Sequence, residues 1–526
     1  MTSLLVILPI LLPVTAAALL LLVGQRRRLE AALAVTASAG LFGLAIALVL
    51  AADGAAFTAI YRLGDWPAPL AIVLVADRLS ALMVLLASTL GLVNTIFALS
   101  RWSRLGPYYH VLSQLLLMGL NGAFLTGDLF NLFVFFEVLL AASYGLLLHG
   151  SGARRVISGL HYIVINLTAS LLLLVGISVI FGVTGTLNMA VLADQIPGLP
   201  APTRSLLHAG AAILGVAFLV KAAAWPLGFW LPRTYDAATP PSAAIFAIMT
   251  KVGVYAILRL GLLWFGAGAG LSAGFGWTWV FVAGLATVGV GLVGMLAARD
   301  LGRMAGYSLL VSAGTLLAAI VFRDEAVLAG ALLYMLVSTL AAAAFYLLGG
   351  LIGADGDDEF EEPSLLEAYD PEGDGLFTEA DERAVTIPVS VGLLSAGFLI
   401  CTLLIAGIPP LPGFLAKVAM LAPLLQAPAG PLPWAAWVLA ALIIAASLLS
   451  LVALARAGIQ IWWAEPDRIP PAIRLGEAAP VAALLFGLLV LTFAIEGPLG
   501  FFERTAQQLL DPAQYIEAVV GPGGGQ

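Results

Sequence analysis

Apolar segments long enough to cross a lipid bilayer recur along the whole chain. A transmembrane helix needs about 20 predominantly apolar residues. We count fourteen such segments, which begin near residues 3, 30, 70, 107, 127, 157, 205, 242, 275, 304, 325, 386, 432 and 478. The sequence therefore predicts an all-α polytopic membrane protein with about 14 transmembrane helices.

Composition excludes a water-soluble protein and several kinds of site. Of the 526 residues, 61% are hydrophobic and 10% are charged, whereas soluble domains carry about 25% charged residues. Cys401 is the one cysteine, and the four histidines show no metal-ligand spacing. No glycine-rich nucleotide-binding loop follows a predicted strand, which is the context that such a loop requires. We therefore expect no cofactor, no metal centre and no nucleic-acid partner, with membrane lipid as the main surrounding.

Arginines in the predicted loops indicate the orientation of the helices. When the helices alternate across the membrane from Arg26–Arg28 onward, fourteen loop arginines fall on one side and four on the other. Loops on the cytoplasmic side carry the excess of Lys and Arg. We therefore place the arginine-rich side in the cytoplasm and both termini on the outer side.

An acidic loop between predicted helices 11 and 12 accounts for the negative charge of the chain. Residues 355–382 hold thirteen of the 31 acids, and without 355–383 the net charge changes from −8 to +4. One stretch follows the spacing of a calcium loop, but flanking helices are not evident. We favour a solvated acidic loop over calcium binding. The calcium-loop candidates are Asp370, Glu372, Asp374 and Asp381.

Four charged residues lie near the centres of predicted helices: Glu137, Lys221, Lys251 and Lys417. A charge there costs about 2.5–3.5 kcal/mol unless it is paired, neutralised or hydrated. These three lysines are the only lysines of the chain, and every loop base is arginine. A buried lysine can lose its charge, whereas arginine cannot. Fixed salt bridges are one interpretation, but one acid cannot pair with three lysines, so we favour a proton or ion relay.

Helix breakers beside two of the lysines predict discontinuous helices and an internal repeat. Pro226 and Pro232 follow Lys221, and the stretch 407–413, GIPPLPG, precedes Lys417. Broken helices near the midplane mark ion sites in transporters with inverted repeats. The breaks fall in helices 7 and 12, so we expect two inverted five-helix repeats with these lysines at matching places. The predicted division is residues 1–106 for helices 1–3, 107–265 for helices 4–8, 266–460 for helices 9–13 with the acidic loop 354–384, and 461–526 for helix 14 and an outer tail.

Other polar residues near or inside the predicted helices have two interpretations each. Asp77 and Asp128 lie near helix starts and are interpreted as capping residues, although Asp128 could also line an outer mouth. Arg259 lies eight residues after Lys251 on the same helix face and could tune its charge. His161 is either a packing residue or a proton carrier.

Several segments resemble a family of antiporter-like membrane subunits. These segments are TGDLFNLFVFFEVLLAASYGLL, VKAAAWPLGFWLPRTYDAATPPSAAIFAIMTKVGVYAILR, RDLGRMAGYSLLVSAGTLL and GIPPLPGFLAKVAML. The family occurs in respiratory complex I, membrane-bound hydrogenases and Mrp-type multisubunit sodium/proton antiporters. The stretch RLGDWPAPLAIVLVADRLSALM is most similar to the Mrp branch, and the length near 500 residues fits the D-type member of that branch.

The resemblance implies roles for individual residues. Glu137 matches the family's glutamate on helix 5, Lys221 its partner lysine on helix 7, Lys251 the lysine on helix 8, and Lys417 the lysine on helix 12. Many members carry a further histidine or lysine on helix 11. In this sequence the matching position falls at or beside Val337, which carries no charge. A relay between Lys251 and Lys417 therefore needs Ser338, Thr339, Tyr334 or water as a bridge.

The resemblance also implies a function. It indicates a proton-translocating subunit of a multisubunit sodium/proton antiporter in the bacterial cytoplasmic membrane, a secondary transporter component rather than an enzyme. Its expected partners are a longer antiporter-like subunit and small hydrophobic subunits. The alternative is a proton-pumping subunit of a redox-driven complex of the complex I or hydrogenase kind.

Overall fold

The computed structural model describes residues 2–24, 26–54, 58–66, 72–353, 388–426, 433–463 and 473–521, which form helices joined by mostly short connections. The helices of the first half are α1 (Thr2–Val23), α2 (Arg27–Ala52), α3 (Arg78–Leu99), α4 (Tyr109–Leu125), α5 (Leu129–Leu147), α6 (Ala153–Thr184), α7 (Met189–Gln195), α8 (Ala201–Lys221), α9 (Leu231–Ala237), α10 (Pro240–Phe246) and α11 (Met249–Phe265). Those of the second half are α12 (Trp277–Ala297), α13 (Leu301–Ile320), α14 (Glu325–Ile352), α15 (Val389–Ala406), α16 (Pro412–Gln426), α17 (Pro433–Trp463), α18 (Leu475–Phe493), α19 (Glu496–Leu510) and α20 (Ala513–Val520). Two strands, β1 (Ala59–Arg62) and β2 (Val73–Ala76), and four 3-10 turns at Leu63–Asp65, Trp102–Arg104, Ile196–Gly198 and Gly270–Ser272 complete the described structure.

The predicted membrane crossings are present. Within the described residues, thirteen helical stretches are long and apolar enough to cross a bilayer, and α10 with α11 forms one of them. Two shorter apolar helices, α4 (Tyr109–Leu125) and α16 (Pro412–Gln426), are also present, so the architecture agrees with the prediction of about 14 transmembrane helices. The most deeply buried crossings are α10–α11, α13 and α14, which lie at the centre of the bundle.

The predicted start of the third crossing, near residue 70, is wrong. Residues 73–76 form strand β2, which pairs antiparallel with β1 from Ala59↔Ala76 to Arg62↔Val73. The helix begins at Arg78, because the Asp77 carboxylate accepts from the Ser80 backbone N–H while the Ser80 hydroxyl accepts from the Asp77 N–H. Such a capping box satisfies backbone donors that the first helical turn leaves free. The apolar run that looked like the beginning of a helix is therefore a strand.

Connections between crossings gather at two opposite faces. One, named the arginine face, is formed by residues 100–108, 148–154, 236–240 and 298–303, where Arg154 and Arg303 both bind Asp236. The other, named the hairpin face, is formed by β1, β2, residues 126–128 and 185–200, and helices α19 and α20. Bridges between Leu74 and Thr126 and between Asp128 and Asn188 tie its connections together.

Two crossings are discontinuous, as predicted. Helix α8 ends at Lys221, and residues 222–230 separate it from α9. Helix α15 ends at Ala406, and residues 407–411 separate it from α16. Lys221 closes the first half of its broken helix, whereas Lys417 lies inside the second half of the other. The two lysines therefore do not occupy matching places relative to the breaks.

Candidate functional site

Glu137 and Lys221 approach each other without forming a direct ion pair. The Lys221 Nζ lies 5.7 Å from the ring centroid of Phe136, the neighbour of Glu137 on α5, and the ammonium is within electrostatic range of the Glu137 carboxylate. The Glu137 Oε1 is buried, and no hydrogen-bond partner for it occurs among the described residues. A buried polar atom is normally hydrogen-bonded. This carboxylate therefore remains available to a proton or a water molecule.

A glycine brings the helix of Lys251 directly against the break beside Lys221. A Cβ atom on Gly253 would lie 2.4 Å from the Ala222 N and 2.6 Å from the Phe218 O, both backbone atoms. Only a residue without a side chain permits this approach. Helix α11 therefore packs against the end of α8, two residues after its own buried lysine.

Lys251 begins a chain of hydroxyl groups. Its side chain is fully buried, and its Nζ donates a hydrogen bond of 2.9 Å to the Ser312 Oγ. The Ser312 Oγ lies 2.7 Å from the Ser338 Oγ on α14. Hydroxyls both donate and accept hydrogen bonds, so they can pass a proton along such a chain. Ser338, the neighbour of Val337, is thus joined to Lys251 by hydrogen bonds through Ser312.

A small cavity continues the chain towards the second broken helix. Its volume is about 20 Å³, which is enough for one water molecule. Ser312 and Ser338 line it, and so do Gly413 of α16 and Ser450 of α17. The serine hydroxyls in this lining supply the hydrogen bonds that a buried water needs. The cavity therefore joins the serine pair to the region of Lys417.

The ammonium group of Lys417 lies at the C-terminal end of a neighbouring helix, α15. Its Nζ donates to the Ala406 carbonyl oxygen and to the Ser447 Oγ, both at 2.8 Å. Ala406 is the last residue of α15, where carbonyl groups lack helical partners and the helix dipole favours a cation. Gly407 follows with φ +69°, and a Cβ atom there would lie 2.7 Å from the Lys417 Nζ. The glycine therefore both permits the turn and leaves room for the ammonium group.

Arg259 is engaged in a buried ion pair that the sequence did not reveal. Its two terminal nitrogens contact the two carboxylate oxygens of Asp77 at 2.5 and 2.7 Å. The guanidinium also lies over the rings of Tyr255 and Tyr515, at 5.5 and 5.3 Å from their centroids. Asp77 caps α3 as predicted and is also the partner of Arg259. This bidentate contact gives Arg259 a direct partner in Asp77, and its influence on the charge of Lys251 stays a prediction.

Three other candidates lie apart from the chain of lysines and serines. The Asp128 carboxylate caps α5 by accepting from the Asn131 N–H at 2.8 Å, and burial raises the pKa of this carboxyl. His161 is exposed on the outer surface of α6, with its Nδ1 2.8 Å from the Ile157 carbonyl oxygen. The Thr339 hydroxyl donates to the Met335 carbonyl oxygen of its own helix at 2.6 Å. The structure brings none of the three to Lys251 or Lys417.

The calcium-loop candidates fall outside the described residues. Asp370, Glu372, Asp374 and Asp381 belong to the stretch 354–387. Within the part of the chain that the structure does describe, no group of three His, Cys, Asp or Glu side chains could hold a metal ion.

The sequence interpretation missed Ser447, which accepts a hydrogen bond from Lys417, and it also missed Ser312. A signal for it exists: Ser308, Ser312 and Thr315 follow one another at intervals of four and three residues. This spacing places all three on one face of a helix. A polar stripe on an otherwise apolar crossing would have pointed to a buried partner.

Comparison with known proteins identifies the family. A model of the NADH:quinone oxidoreductase/Mrp antiporter transmembrane family matches residues 126–450. The D subunit of a probable K(+)/H(+) antiporter from Rhizobium meliloti (strain 1021) is 47% identical over 529 residues, which cover 98% of this chain and 97% of that relative. This chain belongs to the NADH:quinone oxidoreductase/Mrp antiporter family. The resemblance expected from its sequence motifs is thereby confirmed.

Further relatives match this chain over nearly its full length. The D subunit of the Na(+)/H(+) antiporter from Alkalihalophilus pseudofirmus (strain ATCC BAA-2126 / JCM 17055 / OF4) is 34% identical, covering 98% of this chain and 99% of the relative. A chain of the Mrp complex from Dietzia sp. DQ12-45-1b superposes with a TM-score of 0.82 at 26% identity, covering 99% and 100% of the two chains. These relatives are antiporter subunits, which are transporter components rather than enzymes. The chain is a multi-pass membrane protein of this family.

Proposed function

We propose that this chain translocates protons as one subunit of a multisubunit monovalent cation/proton antiporter in the bacterial cytoplasmic membrane. The observation that carries the proposal is the set of three lysines inside the bundle, none of which has an acid within ion-pair distance among the described residues. Two of them donate to neutral oxygens. A lysine without a fixed counter-charge can gain and lose its proton.

The proposed mechanism couples the charge of Lys251 to the pair formed by Glu137 and Lys221. Like charges repel strongly where the dielectric constant is low. A proton arriving on Lys251 weakens the attraction between Lys221 and Glu137, and Lys221 releases its proton. The close packing of Gly253 against Ala222 supports this coupling, because it holds the helix of Lys251 at the end of α8.

The second half of the route leads from Lys251 to Lys417. The proton passes from the Lys251 Nζ to Ser312, to Ser338 and to a water molecule in the small cavity. From there it reaches Lys417, which Ser447 and the end of α15 hold in place. The broken helices supply the local mobility and the access to water that proton exchange requires.

We also propose that the chain contains two inverted repeats and that it has a defined orientation in the membrane. The repeats comprise residues 107–265 and 266–460, between 1–106 and 461–526. Packing of α4 on α5 and of α6 on α8 is paralleled by packing of α12 on α13 and of α14 on α15, and this supports the repeats. The arginine face lies in the cytoplasm by the positive-inside rule, so both termini lie outside.

The proposed partners are a longer antiporter-like subunit and small hydrophobic subunits. The full-length relatives support this assembly, because they are named as subunits. The Rhizobium relative is named for K⁺ and the Alkalihalophilus relative for Na⁺, so the proposed cation class is monovalent, with sodium as the first candidate. The alternative is a proton-pumping subunit of a redox-driven complex, since the family also includes NADH:quinone oxidoreductase subunits.

A cation-exchange assay distinguishes the two functions. We expect everted vesicles that carry the whole complex to lose an imposed pH gradient when Na⁺ or K⁺ is added, because the outward proton flux is coupled to the cation. Choline chloride serves as the control for ionic strength. A gradient that responds to neither cation, but is built up when NADH or reduced ferredoxin is supplied as electron donor together with an electron acceptor such as a quinone, would favour the redox-driven alternative.

Removing the serine bridge should slow transport without disturbing assembly. In a Ser312→Ala/Ser338→Ala double variant we expect antiport to fall at least about tenfold, which is less than the roughly hundredfold or more that a positioned acid–base group contributes, because water can take the place of a lost hydroxyl. The measurement is the initial rate of cation-induced gradient loss per assembled complex. Ser178→Ala, on the surface of α6, is the matched control, because its hydroxyl bonds only to the Leu174 carbonyl oxygen of its own helix. Equal rates in the double variant and the wild type would remove the serines from the route.

A further inference from the structure

An apolar groove opens on the surface of the bundle between α8, α11 and α12. Its volume is about 700 Å³, and glycine, alanine and aromatic residues supply most of its wall. None of the residues that line it carries a charge. A Cβ atom on Gly215, in the wall, would meet no neighbouring atom within 4 Å. Apolar cavities stay free of water, so in a bilayer this groove is open to molecules with alkyl chains.

The inner end of the groove is formed by the connection that follows Lys221. Residues 225–227 line it there. The Trp225 backbone N–H donates a hydrogen bond of 2.8 Å to the Thr287 Oγ1, which joins this connection to α12. On α12 the lining ends one residue earlier, at Ala286. The groove therefore starts at the hairpin face and stops near the level of Lys221.

The length of the groove matches one leaflet of a bilayer. On α8 its lining begins at Ala211, ten residues or about 15 Å before Lys221, which lies near the centre of its broken crossing. The hydrocarbon core is about 30 Å thick, so one leaflet contributes about half of that distance. An acyl chain needs a groove through one leaflet, whereas a crossing helix of a partner needs one through both. The dimensions therefore favour a lipid tail.

The outer end of the groove continues into a polar patch on the same face of α8. Arg204 and His208 precede Ala211 at intervals of four and three residues, which places all three on one side of the helix. The His208 ring stacks on Phe275, with the centroids 4.1 Å apart, and Phe275 lines the groove. Arg204 lies about 10 Å further from the bilayer centre than Ala211. This distance places its side chain in the headgroup region.

Arg204 supplies a positive charge at the mouth of the groove. Its Nη2 donates to the Leu199 carbonyl oxygen, and its Nε has no hydrogen-bond partner among the described residues. No Asp or Glu of the described chain lies within ion-pair distance of it. A guanidinium group binds phosphate oxygens through several donors at once. The mouth of the groove is therefore complementary to the phosphate of an anionic lipid.

We infer that the groove is a binding site for an anionic phospholipid of the leaflet at the hairpin face. One acyl chain lies between α8 and α12, with its end against residues 225–227, and the phosphate lies at Arg204. The tail thus contacts the connection after Lys221 from the membrane side. This site goes beyond the proposed function, because lipid binding here does not depend on which ion the chain transports.

Photocrosslinking in the reconstituted whole complex tests where the lipid binds. The probe is phosphatidylglycerol with a diazirine at the end of one acyl chain, and phosphatidylcholine with the same chain is the zwitterionic control. We expect crosslinks at the inner end of the groove, in residues 216–227 or 282–287. The phosphatidylglycerol probe should give about fivefold more product, the effect of one arginine beside an anionic lipid. Crosslinks confined to other surfaces, or none because a neighbouring subunit covers the groove, would overturn the inference, and equal yields from both probes would remove the anionic headgroup from it.

Two substitutions test the tail and the headgroup separately. Gly215→Phe should abolish the crosslink, because the ring occupies the open space of the groove. Gly182→Phe is its control, since Gly182 has similar free space on the exposed surface of α6. Arg204→Gln should keep the crosslink but remove the preference for phosphatidylglycerol, whereas Arg504→Gln, at the same face but outside the groove, should keep both. An unchanged preference in the Arg204→Gln complex, or unchanged labelling in the Gly215→Phe complex, would contradict the assigned position of the lipid.

Discussion

A Glu137→Gln complex is expected to lose antiport by at least about a hundredfold, the effect of removing an essential proton-transfer group. Glutamine keeps the size of the side chain but cannot carry a transferable proton. No direct ion pair is broken, because none to Glu137 forms among the described residues. The loss should therefore appear in transport and not in assembly, measured as cation-induced collapse of a pH gradient per purified complex.

Glu503→Gln is the control for this substitution. Glu503 lies exposed on α19, so the same chemical change at that position should leave transport at the wild-type rate. Normal exchange by the Glu137→Gln complex would show that the carboxylate is a helix-packing group. The electrostatic coupling between α5 and α8 would then have no place in the mechanism.

Arg259→Met is expected to destabilise the protein by about 3–5 kcal/mol, because removing one member of a buried ion pair leaves the other charged and unpaired. The carboxylate of Asp77 is 2% exposed and the guanidinium 8%, so water cannot take the place of the lost partner. Thermal unfolding of the purified complex measures the loss. An Arg259→Met/Asp77→Asn double variant should recover much of it, since asparagine still caps α3 and carries no charge.

A second arginine–aspartate pair gives the matched control. Arg504 and Asp53 are in contact at 2.6 Å but are 45% and 44% exposed. Arg504→Met should therefore cost less than about 1 kcal/mol, as exposed pairs do. If Arg259→Met unfolds like the wild type but changes the transport rate, Arg259 acts on the charge of Lys251, as its position on α11 suggested from sequence.

Helix positions were predictable because the bilayer imposes one length and one hydropathy on every crossing. The same reasoning misplaced the start of α3, since Val73–Ala76 is as apolar as a helix and only its pairing with β1 makes it a strand. Hydropathy reports burial, and burial alone does not distinguish a covered strand from a helix end. Asp77 is recognisable as a cap from the sequence, but the sequence does not show that the apolar residues before it are paired in a hairpin.

The charged residues of the candidate site were predictable from the sequence, but the contacts that they make were not. Glu137 and the lysines are conspicuous because charge is rare in a membrane helix. The Asp77–Arg259 contact joins residues 182 positions apart, and no local pattern connects them. Ser312 was overlooked because a single serine is common in apolar helices, where it bonds to its own backbone. Only the fold shows that its hydroxyl faces Lys251.

The size of the cavity between Ser338 and Gly413 also bears on which ion can use this path. About 20 Å³ accommodates one water molecule, whereas a sodium or potassium ion passing through a pore needs a full set of oxygens in place of its hydration shell. In the proposed route, this constriction holds fixed groups and one water molecule that can exchange protons, and it is too small for a metal cation with its shell of oxygens. The proposed function therefore assigns the exchanged cation to a different path, either along another surface of this subunit or in a neighbouring one.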